Sequence, residues 1–446
     1  MTDIIVVGGG ISGLATAWFL HQAGRDVRIL ESGPEVGGSI RSLRQDGFLI
    51  EAGPNSTLAR GGALEALIND LELSDELLEA NRAASRRYVV KEDRPEPLPM
   101  GPGAFLRTRL FSARGKLRLL LEPFKRRAQD EESVAGFVRR RLGQEFLDWA
   151  IDPFVSGVYA GNPEQLSARA ATARVYALER DYGSLFIGAL ARMLRRRASG
   201  PTPRGRLVSF REGMQTLPRA IADAMGERVL RGSEAQSLAQ GQQGWEVRTA
   251  DSQHTAGQVV LAVPAYRAAE LLRPLDPDLA DPMAAMDYPP VASIALGFPA
   301  ERVRHPLDGF GMLIPSREGR RTLGVLFSST LFPGRAPQGQ VLLTAFIGGA
   351  RNPGIAAEEA NALTEAVMAD LQPLLGLEGD PTLTRVSFWR RAIPQYTLGH
   401  LQRMARLDAA LSRWPGLHLR ANWRDGISVV DCVDNARGLA QRLAGQ

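Results

Sequence analysis

Apolar residues open the chain in an unbroken run, Ile4-Ile5-Val6-Val7, the pattern of a short strand buried on both faces. After a cluster of glycines, residues 14–23 read as a helix that stops at Gly24, and Val27-Arg28-Ile29-Leu30 makes a second strand ending in Glu31. The alternation of strand and helix returns at residues 207–210 (strand), 213–225 (helix after Gly213-Met214) and 228–230 (strand), with further strands at 245–249 and 256–264. It returns again near the C-terminus, where Leu417-His418-Leu419 precedes a glycine-containing turn and a final helix. Such alternation builds a parallel sheet with helices on its faces.

Other stretches carry different periods. Residues 61–80 have an amphipathic helical pattern, and 86–90 read as a strand followed by a turn at Glu92-Asp93 and a short strand into Leu98-Pro99. Residues 101–200 are helical and rich in arginine, interrupted by a low-charge, glycine-containing connector at 152–163, and 201–204 read as a linker. From 266 to 385 apolar and polar residues alternate, giving strands at 293–298, 311–314, 323–327 and 341–347 with a single helix, 356–375, beyond them. The expected architecture is a mixed α/β (α+β) chain of three units. A discontinuous, Rossmann-type dinucleotide-binding domain takes 1–60, 201–265 and 386–446; an antiparallel-sheet substrate domain takes 61–100 and 266–385; a helical domain takes 101–200.

The glycines give the first turn its chemistry. Gly8, Gly10 and Gly13 stand in a G-x-G-x-x-G spacing between strand and helix: Gly8 closes the turn, Gly10 lets a diphosphate reach the backbone, and Gly13 lets helix and strand pack. The diphosphate would rest on the helix start at Ile11, Ser12 and Gly13, where free N–H groups favour an anion. Glu31 is placed to accept from ribose hydroxyls, which argues against a 2′-phosphate. A second pair, Gly37-Gly38, followed by Ser39-Ile40-Arg41, brings another loop to the same diphosphate; Glu35 is expected to face solvent and Arg41 to supply positive charge. A strand ends at Gly53-Pro54-Asn55, where Asn55 is either a site residue or a plain turn asparagine.

Composition narrows the class. The 446 residues exceed one compact core, and 44% hydrophobic with 23% charged residues is ordinary for a globular chain. No apolar run approaches the roughly 20 residues of a spanning helix. With a strand starting at residue 4, no room for a signal peptide is expected, and the single cysteine, Cys432, excludes an internal disulfide, so a cytoplasmic setting is expected. Five scattered histidines give no metal-ligand spacing. The net charge of +5 is carried almost wholly by arginine, without a nucleic-acid motif. Residues 105–121 mix Phe105, Leu106, Leu110, Phe111, Leu117, Leu119, Leu120 and Leu121 with Arg107, Arg109, Arg114, Lys116 and Arg118, and Phe124-Lys125-Arg126-Arg127 follows, a pattern for either an anionic membrane surface or a solvated helix face; the triplets 139–141 and 195–197 read as solvated faces.

The first forty residues resemble a large FAD family that includes amine oxidases, phytoene desaturases and protoporphyrinogen oxidases. Blocks at 53–56, 156–163, 309–315, 392–400 and 426–432 narrow the resemblance to the oxygen-dependent protoporphyrinogen oxidase family, over nearly the whole chain. That resemblance implies non-covalent FAD and the six-electron oxidation of protoporphyrinogen IX to protoporphyrin IX, with dioxygen as acceptor and hydrogen peroxide released. It implies that Asn55 sits by the reactive carbon, that Arg87 holds a propionate, that the Gly157 carbonyl faces the ring N–H groups, and that Leu313, Leu326 and Phe346 sandwich the macrocycle. Gly8, Gly10, Ile11, Ser12, Gly13, Glu31, Gly37, Gly38, Ser39, Arg41, Gly53, Pro54, Asn55, Val229, Trp389, Asp425, Ile427, Ser428 and Val429 would hold the cofactor. It also implies a peripheral contact of 105–127 with the cytoplasmic face of a membrane, and leaves a homodimer open. The chain departs from the family at Glu35, where many members carry Arg, at Ala421, where many carry Gly, and at Val430, where many carry Asn. Rival readings are coproporphyrinogen III oxidation, whose substrate has four propionates rather than two, another FAD amine oxidase or desaturase activity, and a non-catalytic flavin binder.

Overall fold

The computed structural model describes residues 2–198 and 205–445; the linker expected at 201–204 and the side chains of Arg196 and Arg197 lie outside the described residues. Thr2–Val7 pairs in parallel with Val27–Leu30 on one side and Gln253–Leu261 on the other. Val229–Leu230 extends the sheet beyond Val27–Leu30, and Leu417–Leu419 runs parallel to the end of Gln253–Leu261. An antiparallel pair, Gly244–Arg248 and Ser237–Gly241, finishes the edge.

The unbroken apolar run follows from burial on both faces. Ile4 and Val6 meet Leu14, Ile221 and Val433 from helices Ile11–Gln22, Thr216–Met225 and Val429–Ala444. Ile5 and Val7 point the other way, to Ala268, Leu279 and Leu407 from helices Ala265–Leu272, Pro277–Ala284 and His400–Leu411. Each such side chain contributes about 1.5–3 kcal/mol by leaving water. Two of these helices lie within 266–284, where a single later helix was expected; their apolar positions repeat at helical spacing because they cover a sheet already complete without them.

The second sheet runs in the order Leu383–Trp389, Val291–Pro299, Gln340–Gly348, Thr322–Phe327, Gly309–Leu313, Arg86–Lys91, Arg94–Pro97. Its neighbours are antiparallel except Gly309–Leu313 with Arg86–Lys91, which pair in parallel, so the expected antiparallel sheet is mixed. The strand from 86 enters from a distant part of the chain and therefore needs no hairpin. One face buries Tyr88, Ile294, Met312, Val325 and Ala345 under helix Ala360–Leu375, which starts later than expected because residues Pro353–Ala357 form a 3₁₀ turn.

Three further expectations change. Helix Ala63–Asp70 replaces the long one at 61–80: Glu72 adopts φ +56°, and Leu77–Glu79 is a strand paired with Arg206–Phe210. There Leu77 packs on the parallel-sheet core and Leu78 against the cluster of Phe332, opposite directions that only a strand provides. The connector at 152–163 contains helix Asp152–Tyr159, ended by Ala160 at φ +49°. The triplet at 139–141 is not wholly solvated, since Arg141 is fully buried between Glu122 and Glu179. A buried charge must be paired, and here two carboxylates do so. Residues 105–127 take in two short helices, Pro102–Arg107 and Ala113–Leu120, and the 3₁₀ turn Glu122–Phe124; Leu110, Phe111 and Leu119 are buried against neighbouring elements, so only part of that apolar set faces outward. No helix among the described residues is long and apolar enough to cross a membrane.

Candidate active site

The first turn has the geometry its glycines require. Gly8 lies at φ +108°, and a Cβ on Gly13 would collide with the Gly8 carbonyl oxygen. Gly10 faces open space, with nothing within 4 Å of a would-be Cβ, and no side chain caps the helix starting at Ile11. Ser12 and Gly13 thus begin a helix whose N–H groups point at an open, backbone-lined surface. The Glu31 carboxylate accepts Gly9 N–H at 2.6 Å and Gly33 N–H at 2.7 Å, which braces the turn and leaves lone pairs free. Gly37 N–H bonds Gly9 O at 2.8 Å, so the two glycine loops touch. Arg41 is exposed, its Nε donating to Gly38 O at 3.2 Å, beside exposed Ser39. Glu35 is half-exposed rather than free: Arg219 at 2.8 Å and Gln215 at 3.0 Å bind it, and the Arg219 bond and charge pull its carboxyl below the usual range.

Gly53 passes so close to Ser39 that a Cβ would meet the Ser39 carbonyl oxygen, which brings Pro54 and Asn55 beside the second glycine loop. Trp389 Nε1 donates to Ala52 O at 2.7 Å and fixes this strand end. Asn55 bonds its own turn through Gly53 O at 3.1 Å and lines a small cavity with Glu51, Ser328, Arg335 and Thr344. Val229 lies in the strand beside Ile29.

The open face of the mixed sheet collects the residues that the resemblance assigns to substrate. Arg87, Gly311, Leu326 and Thr344 stand in one cross-strand row; Val89, Leu313, Gly324 and Phe346 stand in the next. Directly opposed residues share a face. Glycine at 311 and 324 puts no side chain between Arg87 and Leu326 or between Leu313 and Phe346, so the two rows form a trough in side-chain height. Thr344 joins the trough to the Asn55 cavity. The Arg87 guanidinium is exposed, 5.3 Å from the Phe310 ring centre, and no acid is paired with it among the described residues, whereas neighbouring Arg86 binds Asp308. Helix Asp152–Tyr159 closes one wall: Asp152 accepts Ser316 N–H at 2.9 Å and donation from Ser316 Oγ at 2.8 Å, and Gly157 abuts the Leu313 side chain, whose methyl would have to move for a Cβ. Gly161 N–H turns to Val155 O, not to Gly157, whose carbonyl stands in the last helical turn.

At the start of helix Val429–Ala444, Ser428 is the N-cap, accepting Asp431 N–H at 3.2 Å; Ile427 is half-buried, and Asp425 is held by Arg420 at 2.8 Å. Cys432 is buried near Gly426 O, and burial raises its thiol above the ordinary range. Two groups escaped the sequence reading. Arg335, 2% exposed, forms a 3.1 Å ion pair with Glu51 behind Asn55, and Tyr396 bonds Gly426 N–H at 2.9 Å. An arginine in a polar-looking segment carries no signal of burial; for Tyr396 the only signal was its place in the narrow 392–400 block.

The residues define a dinucleotide-binding oxidoreductase. The chain belongs to the flavin containing amine oxidoreductase family, whose pattern it matches over residues 11–444. Within that class its likeness runs to porphyrinogen oxidases. It is 38% identical to the chloroplastic protoporphyrinogen oxidase of Oryza sativa subsp. japonica, over 99% of this chain and 88% of the relative. It is 30% identical to the coproporphyrinogen III oxidase of Bacillus subtilis (strain 168), over 97% of this chain and 96% of the relative. A solved chain from Exiguobacterium sp. 255-15, provisionally named a protoporphyrinogen oxidase, superposes with a TM-score of 0.84 at 26% identity, covering 99% of this chain and 98% of its own. The open side of Gly10 and the uncapped helix fit the diphosphate of FAD.

Proposed function

We propose that the protein oxidises protoporphyrinogen IX to protoporphyrin IX with FAD, dioxygen accepting the six electrons and leaving as hydrogen peroxide. The observation that carries this reading is the trough: apolar walls at Leu313, Leu326 and Phe346, and at its end the Arg87 guanidinium, which has no acid partner among the described residues. Arginines on adjoining walls are already engaged, Arg317 with Asp148 and Arg351 with Asp152. An apolar macrocycle with its two propionates on one side matches that distribution. When bound, the flavin accepts the electrons of each step. Arg87 anchors a propionate, the Gly157 carbonyl receives ring N–H groups, and Asn55 orients the reacting edge; the loops at 8–13, 31, 37–41 and 425–429, with Val229 and Trp389, hold the cofactor. In this reading the chain has flavin-binding, substrate-binding and helical parts, with helices Ala63–Asp70, Ala265–Leu272 and Pro277–Ala284 belonging to the flavin-binding part on whose sheet they pack, not to the substrate part as expected from the sequence. Coproporphyrinogen III is the second reading, favoured by the likeness to the Bacillus subtilis enzyme. Porphyrin fluorescence growing in air with each substrate, against its autoxidation blank, decides between them: rates no better than both blanks, with flavin bound, would sink both.

Loss of one charge-assisted contact costs roughly 1.5–3 kcal/mol. Arg87→Ala is therefore expected to raise KM about 10- to 150-fold with kcat changed less; an unchanged KM removes Arg87 from the site. The protein is further proposed to sit peripherally on the cytoplasmic face of a membrane. Leu106, Leu117 and Leu120 on the two short helices and Phe124 in the 3₁₀ turn after them, all more than 60% exposed, lie among cations, which supports that reading. Wild-type protein should float with vesicles containing anionic lipid, and L120S/F124S should lose at least half of that binding; equal flotation of both would reject this surface.

A further inference from the structure

The block at 392–400 has no part in the trough or the dinucleotide turn, yet two neighbouring side chains in it join the two. Gln395, 2% exposed, donates Nε2 to Tyr159 O and to Ile393 O, both at 2.9 Å. Tyr159 ends the helix that carries Gly157. Gly161 packs against this side chain: a Cβ there would lie 2.7 Å from Gln395 Oε1 and would have to push it aside. Tyr396, 6% exposed, faces the other way: its hydroxyl accepts Gly426 N–H at 2.9 Å and donates to Asn422 O, gripping both ends of the short helix Asn422–Asp425. The tyrosine ring is stacked on buried His400, with ring centres 4.2 Å apart and planes 16° from parallel. Its backbone carbonyl accepts Ser167 N–H at 2.8 Å, the N-cap of the next helix in the helical region.

We propose that Gln395 and Tyr396 are positioning residues that lock the turn at 422–428 to the end of the Gly157 helix, so that the flavin turn is set before the cofactor arrives and at a fixed place relative to the substrate wall. The turn needs such a lock. Gly426 lies at φ +146°, a conformation that costs glycine more backbone entropy than other residues lose. The same hydroxyl satisfies one backbone donor and one backbone acceptor at once, and without it both lose their partner. The Tyr396 arm rests only on flavin binding; the Gln395 arm rests also on the porphyrinogen reading.

Apoprotein titrated with FAD, followed by quenching of flavin fluorescence, tests the first arm. Tyr396→Phe should raise the FAD Kd about 10- to 100-fold, and an unchanged Kd overturns the proposal even if the melting temperature falls. Hydrogen exchange on the wild-type apoprotein gives a readout independent of any variant. The Gly426 amide should already be protected without FAD; an amide that exchanges freely until FAD is added shows that the turn is set by the cofactor and overturns the proposal. Gln395→Met should leave the FAD Kd within about twofold and raise KM for porphyrinogen several-fold; an unchanged KM removes the link to the substrate wall. If wild-type protein turns over no porphyrinogen, that reading fails alone, and the FAD titrations and amide exchange still decide the Tyr396 arm.

Discussion

Gly10→Ala and Gly13→Ala are expected to weaken flavin binding by different routes, and comparing them separates the ligand from the fold. At Gly13 an added Cβ meets the carbonyl oxygen of Gly8 and lies 3.0 Å from the Ala262 side chain. The obstacle is backbone in the tightest turn of the parallel sheet, which cannot rotate aside as a side chain could. Overpacking of a core costs about 1–3 kcal/mol where side chains yield; here a loss of about 3 kcal/mol or more is expected, with FAD affinity lower by at least about 100-fold. Gly10 is the opposite case. Its backbone is extended, with φ −73° and ψ 171°, and its would-be Cβ finds nothing within 4 Å. Gly10→Ala should keep the apoprotein's stability within about 0.5 kcal/mol yet weaken FAD binding at least about tenfold, because the methyl occupies the space a diphosphate needs. Urea melts of the two apoproteins and FAD titrations measure both quantities. A Gly10→Ala protein that binds FAD as wild type does would remove the diphosphate from this turn.

That contrast shows why the dinucleotide end was legible in the sequence. A βαβ turn is local: strand, glycines and helix are neighbours in the chain, with Gly8 and Gly13 answering demands of the backbone and Gly10 leaving room for the ligand. The trough is not local. Arg87 and Leu326 share a row although more than two hundred residues separate them, and the parallel pairing of 86–91 with 309–313 leaves no mark on either strand's pattern. For Leu313 and Phe346 the alternation gave the face but not the function, since an apolar strand residue reads as core until the opposite side is seen to be full. Residues 152–163 read from the sequence as a low-charge, glycine-containing interruption that either carries contacts or merely connects helices; the structure makes 152–159 a helix, with Pro153 in the first turn, where it costs no hydrogen bond, and Gly157 packed on the Leu313 side chain. Arg141 read as part of a solvated face and Arg335 drew no reading; their distant acid partners, Glu122, Glu179 and Glu51, make burial tolerable.

Arg335→Met is expected to cost about 3–5 kcal/mol at pH 8 and distinctly less at pH 5.5, because it strands Glu51. The pair is sealed behind Asn55: Glu51 is 3% exposed, accepts Ser42 Oγ at 2.6 Å and Met214 N–H at 2.8 Å, and meets Arg335 at 3.1 Å, while Arg335 Nη2 also reaches Ser209 at 2.6 Å. Burial pushes the Glu51 carboxyl above its usual range even though Arg335 pulls it down. A carboxyl raised by folding binds its proton more tightly in the folded state. Its contribution is therefore fully present below the ordinary carboxylate pKa and is lost as the pH climbs through the folded value. Taking away Arg335 removes the charge that opposes the rise, so the variant's window opens further upward and the variant should gain on wild type as the pH falls. The double variant E51Q/R335M leaves no charge in the cavity and should recover part of the loss at pH 8, since replacing both members of a buried pair is often neutral. Urea melts of wild type and the variants at the two pH values, with Glu51→Gln completing the cycle, test the argument. An Arg335→Met deficit equal at both pH values, or a double variant less stable than Arg335→Met alone, would mean that Glu51 is not the stranded charge. Because Asn55, Thr344 and both ions line one cavity, the same pair that stabilises the fold also builds the wall behind the proposed reacting edge.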